Sequence, residues 1–166
     1  MINIRLWENN NQTKDNELVQ ILKKSFNITQ FYQLNLVKNK TFIISLIAND
    51  KVIGTISLLP NDDLIEYLKK SGTIIDSVAG TYSFKALKGI YIYNLAVISE
   101  FRNKGFAQKL IEIAMYVSRT KKFEYCHTHC ENNISEHIFS KLGFKMENVF
   151  KNEKNQSVKL MTSWLK

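Results

Sequence analysis

Apolar and polar residues along this chain follow the two periods that distinguish strands from helices. Alternating or continuous apolar runs favour strands, and two β-branched runs flank Asn49, Asp50 and Lys51, which is typical of a hairpin turn. The run at residues 90–98 lacks alternation, which predicts a strand covered on both faces. The predicted strands comprise residues 2–6, 41–48, 52–59, 90–98, 123–130, 144–151 and 157–165, with a weaker one at 73–78.

Apolar residues at helical spacing predict helices between several of these strands. The strongest pattern begins at Ala107 and places apolar residues on one face as far as Val117. The other helices are predicted at residues 18–26, 30–38 and 134–142, with a short one from Asn61 or Asp62 to Gly72. The resulting order, β-α-α-β-β-β-α-β-α-β-β, describes a mixed α/β domain, and its βαβ segments imply right-handed crossovers.

Length and composition narrow the class of protein. The chain has 166 residues, 45% of them hydrophobic, so we expect one domain spanning residues 1–166, as a monomer or a homodimer. No apolar run approaches the roughly 20 residues of a membrane helix, and the first residues lack the apolar stretch of a signal peptide. The two cysteines are too few for a disulfide framework. We therefore expect a cytoplasmic protein that does not bind membranes.

The net charge of +8 admits several kinds of anionic partner. Only Arg5, Arg102 and Arg119 are arginines, and the lysines are spread along the whole chain. This dispersal favours compositional bias over a dedicated nucleic-acid surface. A basic nucleic-acid-binding domain is therefore the weakest of the functional hypotheses, and no nucleic-acid partner is expected.

The most informative segment runs from the strand at residues 90–98 through a polar loop into the helix that begins near Ala107. Backbone N–H groups at the start of such a helix, together with the helix dipole, attract phosphate oxygens. Gly105 lets a ligand approach the backbone closely, and Arg102 and Lys104 add positive charge at the same end. The residues thus predict an anion-binding turn, which many folds contain.

Two blocks of this chain have a distinctive spacing. The first is Leu95-Ala96-Val97 followed by Arg102-x-x-Gly105-x-Ala107, and the second consists of Asn132, Ser135, Ile138, Phe139, Lys141, Gly143 and Phe144. The first resembles the acyl-CoA pyrophosphate loop of the GNAT family of N-acetyltransferases, Gln/Arg-x-x-Gly-x-Gly/Ala. The second is similar to that family's Asn-x-x-Ala-x-x-Leu-Tyr-x-Lys-x-Gly-Phe. The two blocks are separated by one predicted helix and one predicted strand, as in the family, and the resemblance covers about residues 41–165.

The resemblance implies a mixed, mostly antiparallel twisted sheet of about seven strands flanked by helices, with acetyl-CoA as the cofactor. The pyrophosphate would lie on the N–H groups of residues 103–107, and the pantetheine arm would run between the strands at 90–98 and 123–130. Backbone groups of Leu95 and Val97 would pair with that arm, and an N–H there would stabilise the thioester oxyanion. The implied cofactor-binding residues are Leu95, Ala96, Val97, Arg102, Asn103, Lys104, Gly105, Phe106, Ala107, Asn132 and Phe139.

Two features depart from the family pattern. Phe139 stands where family members commonly have a tyrosine that protonates the leaving thiolate, and phenylalanine has no proton to give. The connection between the third and fourth strands spans about residues 61–89, whereas in the family it is usually short. The first departure calls for another acid, and the second suggests a lid or an altered acceptor pocket.

The resemblance also implies a base, because the attacking amine must be neutral. Family bases match Tyr91 and Tyr93 on the fourth strand or His127 on the fifth. Strand alternation puts the two tyrosines on one face, and an ordinary histidine titrates near neutrality. We expect His127 to act as base, directly or through water, with Tyr93 or Tyr91 as the substitute acid; the alternative is that all three only pack.

The leading hypothesis is an N-acetyltransferase that moves an acetyl group from acetyl-CoA to a primary amine of a small molecule or peptide. The alternative from another class is a non-catalytic, CoA-binding regulatory module, which Phe139 motivates. Cys126-His127-Thr128-His129-Cys130 does not predict a metal site, because alternation points the cysteines and the histidines to opposite faces of a strand. No metal is expected.

Overall fold

One mixed sheet organises the part of the chain that the structure, a computed structural model, describes: residues 1–7, 20–21, 24–25, 42–64, 88–152 and 154–165. Its strands are β1 (Ile2–Trp7), β2 (Phe42–Ala48), β3 (Lys51–Pro60), β4 (Gly89–Val97), β5 (Tyr125–Cys130), β6 (Lys145–Lys151) and β7 (Ser157–Trp164). They lie in the order β1-β2-β3-β4-β5-β7-β6. Every pairing is antiparallel except that of β4 with β5.

Two helices cover one face of this sheet. Helix α1 (Phe106–Thr120) follows β4, and helix α2 (Asn133–Lys141) follows β5. Leu110 and Ile111 of α1 are completely buried against sheet residues such as Ile56 and Ile92, which are also 0% exposed. The apolar stripe of α1 and the alternate residues of the strands therefore form the main core. Among the described residues, no helix is long and apolar enough to cross a membrane.

The predicted mixed α/β fold is confirmed, and most predicted strands and helices lie within two residues of their observed positions. Residues 20–21 and 24–25 of the first predicted helix are helical, and Ile21 packs against Ile43 and Ile47 of β2. Of the short helix predicted from residue 61, residues 61–64 are helical. The helix predicted at 30–38, the strand at 73–78 and most of the 61–89 connection lie outside the described residues.

The turn between β2 and β3 differs from its prediction. Asn49 and Asp50 have φ values of 49° and 60°, and Ala48 pairs directly with Lys51. The turn therefore contains two residues, both with positive φ, as in a type I′ hairpin. The prediction that Lys51 belongs to the turn is wrong, because a two-residue turn of this type already matches the twist of the flanking strands.

The burial of β4 also differs from its prediction. Ile90 and Ile92 are 0% exposed on the face that α1 and α2 cover. Tyr91, Tyr93 and Leu95 are only half-buried, so the prediction of two covered faces is wrong for part of the strand. The sequence misleads here because tyrosines lengthen an apolar run although their hydroxyl ends favour a partly wet surface.

Two buried threonines of this sheet should respond in opposite ways to replacement by valine. Thr55 is 1% exposed, and its Oγ1 has no hydrogen-bond partner within the described ranges. Thr128 is 4% exposed, and its Oγ1 donates to the carbonyl oxygen of Ile92 at 2.9 Å. We expect Thr55→Val to raise the free energy of unfolding by up to about 1 kcal/mol, and Thr128→Val to lower it by about 1–2 kcal/mol.

Urea denaturation of the two variants measures this difference directly. Both substitutions keep the shape of the side chain and its preference for strands, so each serves as the control for the other. Equal losses of stability in the two variants would contradict the prediction, because they would show that the Thr55 hydroxyl is as well satisfied as that of Thr128.

Candidate active site

The parallel strands β4 and β5 are joined over only a short distance. Three pairs of residues connect them, and the last of these pairs is Tyr91 with His127. Both strands continue beyond that pair, β4 to Val97 and β5 to Cys130, without further backbone pairing; the side chain of Thr128 bonds across, to the carbonyl oxygen of Ile92. A gap therefore opens in the middle of the sheet and faces the ends of both strands, which is where open α/β sheets hold ligands.

A bulge in β4 accompanies this gap. Tyr93 pairs with Ser57 and Ala96 with Thr55, so two residues of β4 stand against one of β3. Asn94, one of the two, has φ of 50°, which is left-handed. Bulges of this kind re-aim side chains and backbone groups and are frequent beside active sites. The residues at the gap, Leu95 among them, consequently follow a course that a regular strand would not take.

The N-terminus of α1 lies directly after β4 and has the features of an anion site. Gly105 is the N-cap residue, with φ of 80°, and no side chain caps the helix. A Cβ atom on Gly105 would meet nothing within 4 Å, so the space beside the backbone is open. The first N–H groups of a helix have no partner within the helix. They and the positive end of the helix dipole therefore lie at an uncapped turn whose glycine leaves the backbone open to approach.

Arg102 and Lys104 shape the loop that leads to Gly105. Arg102 Nε donates to the carbonyl oxygen of Val97, and Lys104 Nζ donates to that of Glu100, each at 2.9 Å. Lys104 also lies over the ring of Phe101, 5.3 Å from its centroid. Arg102 thus ties the loop to the end of β4, Lys104 ties the loop to itself, and the two place positive charges beside the helix N-terminus.

Asn132 and Phe139 lie on α2, at different depths. Asn132 caps α2, because its side-chain oxygen accepts a hydrogen bond from the N–H of Ser135 at 2.9 Å. Phe139 is 3% exposed and contacts Phe144 edge-on, with ring centroids 4.9 Å apart. The structure places Phe139 in the core between α2 and the sheet, so its predicted contact with a cofactor stays a prediction.

Tyr91 and Tyr93 lie together on the face of the sheet opposite α1 and α2. Their rings are stacked, with centroids 5.4 Å apart and planes inclined by 5°. The hydroxyl of Tyr91 is 3.5 Å from Nδ1 of His129, at the long limit of a hydrogen bond. Burial lowers the pKa of His129 to about 4, so this ring is neutral at pH 7.

His127 lies deeper, in a fully buried cluster. It is 0% exposed, and its Nε2 lies 2.6 Å from the amide oxygen of Asn61. Because an amide oxygen only accepts hydrogen bonds, this contact assigns the proton to Nε2 and leaves Nδ1 as the basic nitrogen. Complete burial, assisted by the neighbouring His129, lowers the pKa of His127 well below its ordinary value.

Tyr125 and Gly89 complete the cluster around His127. The amide nitrogen of Asn61 donates to the hydroxyl of Tyr125 at 2.7 Å, and burial raises the pKa of that hydroxyl to about 12. A Cβ atom on Gly89 would lie 2.3 Å from Tyr125 Cζ and 2.4 Å from Asn61 Nδ2. The cluster therefore packs directly over a backbone that only glycine leaves open.

The structure places the predicted loop of residues 102–107 directly after the end of β4. It places Tyr91 and Tyr93 where the pairing of β4 with β5 ends. It adds Asn61, Tyr125 and His129, which the sequence analysis did not assign to the site. Asn61 and His127 are 66 positions apart, so no local pattern signals their contact. Alternation along β5 does place His129 on the same face as His127, so the sequence pattern was sufficient to assign His129 to the site.

Cys126 and Cys130 are free and buried. The sulfur of Cys130 contacts that of Met161 at 3.4 Å, and burial raises the pKa of both thiols, that of Cys126 to about 12. Both thiols therefore stay protonated in the core. No group of three or more His, Cys, Asp or Glu side chains in the described ranges is arranged to hold a metal ion.

Comparison with known proteins agrees with this geometry. A model of the acetyltransferase (GNAT) family matches residues 6–144, while no curated protein sequence matches the chain. The structure is similar to that of mosquito arylalkylamine N-acetyltransferase like 5b, with a TM-score of 0.74, 16% identity, and coverage of 99% of this chain and 100% of that one.

Two further solved structures share the fold. An N-acetyltransferase from Staphylococcus aureus Mu50 has a TM-score of 0.72 and 16% identity, covering 99% of this chain and 98% of that one. A GNAT family acetyltransferase from Elizabethkingia anophelis, with acetyl-CoA bound, has a TM-score of 0.69 and 14% identity, covering 99% and 98%. The family model spans most of the chain, and the shared fold agrees with it. The protein therefore belongs to the GNAT acetyltransferase family and is an acyltransferase.

Proposed function

We propose that the protein transfers an acetyl group from acetyl-CoA to a primary amine of a small molecule or peptide, by direct attack of the amine on the thioester. The observation that carries this proposal is that the gap between β4 and β5 leads to the uncapped N-terminus of α1. A long molecule with an anionic end and a narrow, hydrogen-bonding arm has the shape and chemistry to fill both. The related fold with acetyl-CoA bound supports the same ligand.

The residues at the site fit coenzyme A. The N–H groups of residues 103–107 and the charges of Arg102 and Lys104 would hold the pyrophosphate, because Gly105 leaves the approach open. Backbone groups of β4 from Leu95 to Val97 would pair with the pantetheine arm, and the amide nitrogen of Asn132 could donate to it. When bound, acetyl-CoA supplies an acyl group activated by a thiolate leaving group.

The protein's own residues must then move two protons. A lysine-like amine has a pKa of about 10.4, so only about one in 10³ molecules is neutral at pH 7 without help. We assign its proton to water through the hydroxyl of Tyr91 and Nδ1 of His129, which lie 3.5 Å apart. The low pKa of His129 makes it pass the proton on rather than hold it. His127 takes no proton in this scheme, because its ring is fully buried and its pKa lies well below the ordinary value. It supports the ring of Tyr91, with centroids 5.2 Å apart. Tyr93 is the acid for the leaving thiolate, since Phe139 has no proton to give.

Calorimetric titration with acetyl-CoA, coenzyme A and dephospho-CoA tests the first half of the proposal, and thiol release with a panel of amines tests the second. We expect micromolar binding of acetyl-CoA, and thiol release that depends on the amine. Binding without amine-dependent release across the panel would favour a non-catalytic CoA-binding module. Absence of binding would overturn the proposed function altogether.

A further inference from the structure

Four aromatic rings form a continuous strip across the face of the sheet opposite α1 and α2. They belong to Tyr93 and Tyr91 of β4, His129 of β5 and Phe150 of β6. Successive centroids are 5.4, 5.3 and 5.2 Å apart, and the contacts are stacked, tilted and edge-on in that order. We call these four residues the aromatic strip.

Each ring of the aromatic strip is half-buried, although each also contacts the next ring in the strip. Aromatic residues of a core are normally covered, and apolar residues at a surface are normally scattered. Leu59 and Leu64 pack against the tyrosine end and are themselves 2% and 7% exposed. Buried leucines therefore pack against the tyrosine end of the aromatic strip. Part of each of its four rings is exposed.

The aromatic strip also crosses the sheet where the gap begins. Tyr91 pairs with His127 in the last joined pair of β4 and β5, and His129 lies two residues further along β5, where the strands no longer pair. A molecule resting on the strip would thus have one end at the gap that we assign to the acetyl donor.

The aromatic strip carries no formal charge at neutral pH. Burial keeps the pKa of His129 near 4, so its ring is neutral, and the other three side chains are two phenols and a phenyl ring. Polyamines and aminoglycosides carry several cationic groups, and a site for them needs several carboxylates. The described carboxylate on β6, Glu147, is exposed and accepts a hydrogen bond from Thr162 at 2.7 Å. Among the described strands β3 to β7 it is the one carboxylate, whereas Asp62 and Asp63 precede Leu64 at the tyrosine end, so the strip itself is mainly aromatic and apolar.

We propose that the aromatic strip binds the ring of the acceptor, and that the acceptor is a small primary amine with an aromatic substituent. This inference rests on the proposed function and specifies its acceptor class. Aromatic rings on a ligand gain offset-stacked and edge-on contacts with such a strip in addition to burial of apolar area. The amine, carried on a short linker, would then reach the hydroxyl of Tyr91 beside the gap.

Steady-state kinetics with acetyl-CoA and three amines tests this inference on the intact protein. The amines are 2-phenylethylamine, its saturated counterpart 2-cyclohexylethylamine, and putrescine. We expect kcat/KM for 2-phenylethylamine to exceed that for putrescine at least about 10-fold and that for the cyclohexyl compound severalfold, because stacking adds to apolar burial. A short peptide with N-terminal phenylalanine serves as a fourth acceptor.

Phe150→Leu and Val149→Ala form a matched pair of variants. Phe150 lies at the far end of the aromatic strip, whereas the side chain of its exposed neighbour Val149 points to the other face of β6. We expect Phe150→Leu to raise KM for 2-phenylethylamine about 5-fold or more, with kcat and acetyl-CoA affinity unchanged, and Val149→Ala to change none of them. The comparison of amines on the unaltered protein stands even if a variant fails to fold.

Several outcomes would overturn the inference. Putrescine used as well as 2-phenylethylamine would refute the aromatic acceptor while leaving the acetyl transfer intact. Preference for the peptide would replace a small amine by a protein N-terminus as the acceptor. No transfer to any amine, despite acetyl-CoA binding, would refute both this inference and the catalytic part of the proposed function.

Discussion

Replacement of Gly105 by aspartate should weaken acetyl-CoA binding by at least about 100-fold, equivalent to about 2.7 kcal/mol. A carboxylate at the N-cap position accepts hydrogen bonds from the same N–H groups that would hold the pyrophosphate. It also places a negative charge beside that group, and like charges in contact cost several kcal/mol. Isothermal calorimetry of the variant measures the loss.

Gly105→Asn is the matched control for this charge. Asparagine has the same shape as aspartate, caps helices as well and tolerates positive φ, and a Cβ atom at this position meets nothing within 4 Å. We expect the asparagine variant to bind more tightly than the aspartate variant by at least 10-fold. Both variants should change the melting temperature by similar, small amounts, because a φ of 80° strains either side chain while its oxygen can cap a helix that has no side-chain cap. Undiminished binding by Gly105→Asp would refute the phosphate site.

The second large effect is a loss of stability in mild acid. His129 has a folded-state pKa of about 4, because burial disfavours its charged form, whereas an exposed histidine titrates near 6.5. Between these two values the unfolded chain binds the proton and the folded chain does not. The free energy of unfolding therefore rises with pH in this range, and it falls as pH drops from 6.5 to 4. At 1.36 kcal/mol per pKa unit, we expect His129 to contribute a loss of up to about 3 kcal/mol, the full amount requiring that its half-buried ring stay neutral down to pH 4.

Fully buried His127 acts in the same direction, since its pKa is also lowered. Urea denaturation at a series of pH values from 7 to 4 measures the combined slope. His129→Gln should flatten the curve, whereas His137→Gln, on the exposed surface of α2, should leave its shape unchanged. A curve for His129→Gln parallel to that of the unaltered protein would show that His129 is charged in the fold or already neutral when unfolded.

The geometry of the turn before α1, where we propose that the pyrophosphate binds, could be predicted from sequence because its determinants are local. A strand, a short loop with Arg102, a glycine and an amphipathic helix follow one another within about 25 residues, and Gly105 has the positive φ that such a turn requires. The stacking of Tyr91 on Tyr93 likewise follows from alternation within one strand. Such short-range patterns predict the structure well because residues close in the chain determine one another's relative positions.

The surroundings of His127 could not be predicted in the same way. From sequence it is a histidine with an ordinary pKa near neutrality, suited to act as a base. The structure buries it completely, with Asn61 contributed by a segment 66 positions away, and desolvation removes the neutral-pH titration. The depth of Phe139 is equally a property of the tertiary fold, because the same helical motif can turn that position toward a ligand or toward the core. Burial at such positions depends on contacts that no short motif contains.

The separation of β4 from β5 gives the sheet an edge in its interior as well as at β1 and β6. Edges of sheets recruit strands from other molecules and so begin aggregation. A foreign strand entering here would have to hold its two neighbours roughly 9.6 Å apart along its whole length, twice the usual strand spacing. Because β4 and β5 are joined at Tyr91 and His127, they cannot part evenly. The protein can thus keep backbone groups available to a thin ligand while denying them to another polypeptide.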